Sequence, residues 1–389
     1  MTVTGTPDTD LRGAAPARVR DALRDGDPLP GGRGFAGRLS DPPARDGPVL
    51  VRDVLGRQPL FVERAAADPT TDRAPTDPGA WAFDRAALFD PTSLPAGSVA
   101  SATGVERVWT LPDGAPADPG PAQAAVDDAL DGTLNELARA IDGLAVAFSG
   151  GVDSGVVAAG APDAPCYVAG FDGCHDVAAA REAAAAMDRE LRVVEITHEE
   201  LLRAVRAVAA ATGRRNPMDL AIAVPLYLAA EAAAIDGYDR LAVGQGADEL
   251  FGGYSKVVDP ATDDRVDADT VRGARTETVR TLPDQLERDV LALRAAGVEP
   301  VAPLLDDRIV ASALALPGGL LASDGERKIA LRRAAAGRVP EPVRTADKKA
   351  VQYGTYVSRE LDRLARQAGF KRRMTDHVGQ YLDDLLADE

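Results

Sequence analysis

Two glycine-rich segments of this sequence place hydroxyls, backbone amides and carboxylates at spacings that suit polyphosphate chemistry. The first, Ser149-Gly-Gly-Val-Asp-Ser154, follows directly on the apolar run Leu144-Ala-Val-Ala-Phe148 and leads into a helical pattern. At the carboxyl edge of a parallel strand, where a helix begins, backbone N–H groups converge on a bound anion. Gly150 and Gly151 let the main chain approach that anion closely, and Ser149 and Ser154 add hydroxyl donors. Asp153 brings a carboxylate to the same curve, where it repels polyphosphate unless Mg2+ stands between them. The segment therefore predicts a metal-bound nucleotide, with Mg2+ between Asp153 and its phosphates. Two glycines alone would more often be a plain strand-to-helix turn; six specified positions in this setting weigh against that.

The second segment leaves the run Leu241-Ala-Val243 as Gly244-Gln-Gly-Ala-Asp-Glu-Leu-Phe-Gly-Gly-Tyr254. It too is a glycine loop after a strand, and it carries paired acids. Asp248 is the candidate second carboxylate on the metal, with Glu249 beside it. Read blandly, the two acids are an ordinary pair at a helix amino terminus.

Both loops need a parallel sheet to position them, and the pattern from residue 122 onward supplies one. Apolar strands are expected at 144–148, 166–171, 191–196 and 240–244, alternating with helices at 124–141, 155–161, 176–187, 199–211 and 225–234. The fold class is α/β, a parallel sheet covered on both faces, with a helical remainder after Val257 broken at Pro317-Gly-Gly319. Residues 112–121 hold four prolines and two glycines, a linker composition, which divides a module over 1–115 from a domain over 122–389. The first module reads as small and mostly β. Residues 1–29 are expected to be poorly ordered apart from a short helix at 17–24. Strands at 48–52 and 58–63 are expected to form a hairpin through Leu55-Gly-Arg57, followed by a polar loop at 68–78 and β-like runs at 81–83 and 105–111.

In 389 residues, 61 Asp and Glu stand against 44 Lys and Arg, for a net charge of -17. Nucleic acid and anionic membranes are poor partners for such a surface, and no window reads as a membrane span. Nearly all positive charge is Arg; the five lysines are Lys256, Lys328, Lys348, Lys349 and Lys371. An acidic, lysine-poor surface suits a salt-rich, halophilic cytoplasm, although a GC-rich genome yields the same bias. Cys166 and Cys174 are the only cysteines, which points to a reducing, cytoplasmic setting with both as buried small hydrophobes.

Ser149 to Ser154 resembles the pyrophosphate loop of the ATP pyrophosphatase superfamily, whose members cleave ATP between its α and β phosphates. It lacks the Gly-Lys-Ser/Thr ending of a P-loop. Together the two loops resemble the synthetase domain of asparagine synthetases. So do Val168-Ala-Gly-Phe171 with Asp176, Ala180-Arg-Glu-Ala-Ala184, Arg288-Asp289, Pro303-Leu-Leu-Asp306, and Lys348-Lys349 ahead of Gln352-Tyr-Gly354, covering about residues 122–370. The resemblance implies adenylation of aspartate by ATP and amidation by ammonia. It further implies an ATP-binding set of Phe148, Ser149, Gly150, Gly151, Val152, Asp153, Ser154, Gly170, Gly244 and Gln245, with Asp153 and Asp248 holding Mg2+ and Lys348 adding positive charge at pyrophosphate. A ligase or cyclase acting on another carboxylate, and a non-catalytic ATP sensor, remain open beside it.

Three departures matter. The family usually carries Glu at Gln245, and a neutral amide is no general base, so Glu249 or water takes the proton or Gln245 orients another acceptor. Val301 stands where the family has Arg. The first module resembles the second half of the family's glutaminase domain, yet Thr2 follows Met1 and no cysteine precedes Cys166. That implies a reduced, thiol-free module, with free ammonia or a separate ammonia-supplying protein as nitrogen donor. The assembly state stays open, a homodimer included.

Overall fold

The computed structural model describes residues 10–68, 73–346 and 351–387. The chain divides into two compact units, one of Met1–Ala129, Asp248–Glu287 and Leu305–Arg327, the other of Leu130–Ala247, Arg288–Leu304 and Lys328–Glu389. The first unit thus gathers segments from far along the chain as well as the amino-terminal module.

In that unit the strands are β1 (Leu11–Arg12), β2 (Ala36–Leu39), β3 (Val49–Arg52), β4 (Phe61–Glu63), β5 (Trp81–Ala82), β6 (Pro91–Ser93), β7 (Ser98–Ser101) and β8 (Gly104–Arg107). They form two antiparallel sheets, ordered β1-β2-β3-β7-β8 and β5-β4-β6. The expected hairpin is therefore corrected: β3 pairs with β2 and β7, while β4 belongs to the other sheet. The segment between them turns inward because Asp53 and Arg57 are bonded to each other and buried. Residues 10–29 are also better organised than expected, since β1 pairs with β2 and the helix Pro16–Asp25 buries Val19 and Ala22. Leu50, Leu60, Val62, Leu94 and Ala100 pack together as the core of these sheets.

Buried charge ties the distant segments in. Arg52 Nη1 donates to Leu94 O at 2.8 Å and to Glu287 Oε2 at 3.1 Å. Arg57 donates to Asp53 Oδ1 at 2.8 Å, Leu305 O at 2.8 Å and Asp307 Oδ1 at 2.6 Å. Burial works against the Arg57 charge, but the two carboxylates outweigh it and raise its pKa.

The second unit holds β9 (Leu144–Ala147), β10 (Cys166–Gly170), β11 (Leu191–Glu195), β12 (Arg240–Ala242) and β13 (Glu299–Val301). All pair in parallel, in the order β11-β10-β9-β12-β13. Every residue of β10 is buried, as a strand covered on both faces requires. The strand β13 lies in the stretch expected to be helical; Pro300, which cannot donate to a ladder, is tolerated because β13 is an edge.

Two further expectations are corrected at the helix Pro217–Ile235. It starts eight residues earlier than the apolar pattern suggested, because Asn216 caps it by accepting from Asp219 N at 2.9 Å and Pro217 takes the first position. It is also long and apolar enough to cross a membrane by length and composition. Its Leu220, Val224, Leu228 and Ala230 are instead part of the second unit's core, with Val205, Val208 and Leu241.

Replacing Arg57 with Ala leaves Asp53 and Asp307 as uncompensated buried carboxylates. The expected loss is about 3–5 kcal/mol of folding stability, measured by urea denaturation, against under about 1 kcal/mol for the half-exposed Arg192→Ala.

Candidate functional site

The sheet reverses direction of growth between β9 and β12: β10 and β11 build out on one side, β12 and β13 on the other. In open α/β sheets the crevice beyond the carboxyl ends at such a point is where ligands bind. Register pairs Leu144 with Arg240 and Val146 with Ala242, so both glycine loops leave adjacent strands at the same level.

The first loop is shaped by its own hydroxyls and by two close backbone approaches. Ser154 Oγ donates to Gly151 O and accepts from Ser149 N, both at 3.2 Å, and lies 3.2 Å from Ser149 Oγ. Val152 opens the helix Val152–Gly160 with Gly151 as its extended cap, and Asp153 lies in the first turn. Gly150 has φ of +79°, and a Cβ there would lie 2.6 Å from Ala179 O, so the loop rests on the backbone of the next helix, His175–Ala186. Phe148 is buried beneath the loop and donates its N–H to Tyr167 O at 2.8 Å. Gly170, at the end of β10, is closed in by Cys174 Sγ, Val177 and Thr355.

The second loop meets the first at Gly244. A Cβ on Gly244 would stand 3.0 Å from Asp153 Cβ and 3.2 Å from Ser154 N, so the two loops touch backbone to backbone. Gln245 follows, half-buried, and donates from Nε2 to Asp289 Oδ2 at 2.6 Å. Asp248 lies in the first turn of the short helix Ala247–Phe251 and is partly exposed. Glu249 is buried and accepts from Tyr254 Oη at 2.5 Å. Burial first, and then the Glu249 carboxylate, push the Tyr254 phenol far above its ordinary pKa, so it remains a donor to Glu249.

Sequence reasoning missed Lys328. Its Nζ donates to Asp153 Oδ2 at 2.6 Å, and the side chain is almost wholly buried. Lys328 has φ of +57° and caps the helix Ile329–Ala334. The scarcity of lysine was the available signal, but it directed attention to the adjacent Lys348 and Lys349, which lie outside the described residues. Among the described residues no group of three or more His, Cys, Asp or Glu is placed to hold a metal by itself.

Cys166 and Cys174 are both buried, as expected. Burial pushes the Cys166 thiol up to about 11 and raises that of Cys174, which suits packing and not nucleophilic attack.

Comparison with known proteins gives the family of this chain. The family model described as asparagine synthase matches residues 125–280 and 262–387. A provisionally assigned glutamine-hydrolyzing asparagine synthetase of Methanocaldococcus jannaschii is 28% identical over 295 residues, covering 67% of this chain and 54% of that protein. The chain thus spans about half the length of that curated relative.

Gly150→Ala forces a Cβ into a left-handed position already closed by Ala179 O. It is expected to cost about 1–3 kcal/mol in chemical denaturation, with a matching loss of ATP affinity by calorimetry.

Proposed function

The chain belongs to the asparagine synthase family, and on that premise we propose that it is an ATP-dependent, AMP-forming carbon–nitrogen ligase. In this reading it activates a carboxylate as an acyl-adenylate and passes the acyl group to ammonia, with aspartate to asparagine the leading reaction. The observation that carries the proposal is the contact of Gly244 with Asp153 and Ser154, which joins two strand-end loops at the point where strand order reverses.

A carboxylate is a weak electrophile, because its oxygen is a poor leaving group. Attack of that oxygen on the α-phosphate of ATP forms the adenylate and expels pyrophosphate. Ammonia then attacks the acyl carbon, loses a proton, and AMP departs. Ser149, Ser154 and the loop amides hold the phosphates, and Lys328 brings an ammonium to the same loop. Mg2+, when bound, would supply neutralisation of the departing pyrophosphate, and Asp153 is the carboxylate that would hold it. Lys348 keeps its assigned role as a further positive charge at pyrophosphate.

Nitrogen is taken from free ammonia or from a separate ammonia-supplying protein. A different acceptor carboxylate is the second reading, favoured by the neutral Gln245 at a position where the family usually carries an acid.

Labelled pyrophosphate should exchange into ATP only when Mg2+ and the carboxylate substrate are both present. Exchange with aspartate supports the leading reaction, exchange with another acid selects the second reading, and none with any acid defeats the proposal. Asp153→Asn and Lys328→Met are each expected to lower exchange by about 100-fold or more; near-normal exchange in either removes the role assigned to that residue.

A further inference from the structure

Position 245 is held by a chain of buried charge that the adenylation step does not use. Gln245 Nε2 donates to Asp289 Oδ2 at 2.6 Å, and the other oxygen of Asp289 accepts from Arg288 Nε at 2.7 Å. Arg288 Nη1 donates to Asp219 Oδ1 at 2.8 Å, and Asn216 Nδ2 donates to Asp219 Oδ2 at 2.6 Å. Arg288 and Asp289 are both more than nine-tenths buried. Burial works against charge on both Arg288 and Asp219, but Asp289 first and then Asp219 raise the Arg288 pKa, and the bonds from Asn216 and then Arg288 lower that of Asp219.

This arrangement decides which way the Gln245 amide faces. A carboxylate only accepts hydrogen bonds, so Nε2 must point to Asp289 and Oε1 must lie at the other edge of the amide. Among the described residues none donates a hydrogen bond to Oε1. A Glu at 245 would bring a second carboxylate to the same 2.6 Å contact, where two like charges cannot both ionise. Gln245 and Asp289 are therefore matched, and Asp289, with both oxygens engaged, is not itself placed as a base.

We propose that Asp289, braced by Arg288 and Asp219, is a positioning residue that locks Gln245 with Oε1 as a fixed, neutral acceptor for an N–H of the incoming nucleophile, ammonia or a small primary amine. The inference rests on the adenylate reading above and deepens it. Oε1 aligns the nitrogen and takes no proton; the proton released on attack leaves to water. Position 245 thereby selects nucleophiles by N–H donation, where an acid there would assist by proton removal.

Competition between ammonia and hydroxylamine for one adenylate tests this, because the ratio of amide to hydroxamate is independent of the amount of folded enzyme and of the adenylation rate. Hydroxylamine, with its more reactive and more acidic nitrogen, depends less on alignment by Oε1. Asp289→Asn, which frees the amide to turn over, and Gln245→Leu, which removes the acceptor, are each expected to shift the ratio toward hydroxamate about 10-fold or more. Should either single variant not fold, Gln245→Glu with Asp289→Asn keeps one carboxylate and one amide across the same bond. That pair is expected to bring in an acidic limb in the pH profile of amide formation, absent from the wild type. Unchanged ratios and an unchanged pH profile, with normal pyrophosphate exchange, overturn this inference alone. A wild type that exchanges pyrophosphate with no carboxylate overturns the adenylate reading and this inference with it.

Discussion

The backbone contact of Gly244 with Asp153 and Ser154 is the constraint on which the rest of the site depends. It exists only because β9 and β12 are neighbours in parallel, in register, at the point where strand order reverses. A methyl group at position 244 would meet backbone atoms of the opposite loop, and backbone cannot rotate aside as a side chain can. Glycine there sets how near the second loop comes to the carboxylate of Asp153 and to the amides that follow it.

Around that contact, charge is arranged in pairs, and burial gives the pairs their force. Lys328, Arg288 and Asp289 are buried in the second unit, where an unpaired charge would be costly; Arg288 pairs with Asp289 and the partly exposed Asp219, and Lys328 with the partly exposed Asp153. The first unit repeats the device with Arg52 and Arg57, whose partners Glu287 and Asp307 come from segments more than two hundred residues along the chain. Buried pairs of this kind add little net stability over apolar packing, but breaking one is severe. Their consequence in the first unit is connectivity, since they fix distant segments against the sheets.

If the proposed ATP chemistry holds, an acidic protein binds a polyanion and faces a problem of field as well as contact. With a net charge of -17, local positive potential has to come from few groups. Backbone amides at a helix amino terminus cost no net charge and are insensitive to pH. One buried lysine pairs with Asp153 and offsets the carboxylate charge beside those amides. The same economy of charge appears at position 245, where an amide held by Asp289 replaces a second free carboxylate near the phosphate loop.

Much of this was legible without coordinates. The run from Leu144 to Ser154 specifies strand, loop and helix locally, because apolar residues, paired glycines and a following helical pattern all act within a dozen positions. For the same reason β10, β11 and β12 and the helices His175–Ala186 and His198–Thr212 lie where periodicity put them. Non-local decisions were not legible. The pairing of β3 with β7 in place of β4, the strand β13 behind Pro300, and the burial of Pro217–Ile235 depend on partners that no local window contains. Lys328 was overlooked because it lies 175 residues from Asp153 in sequence and is brought beside it only by the fold. Residue type and short-range spacing determined what chemistry the chain can do; the long-range packing of parallel strands and buried ion pairs decided which residues meet to do it.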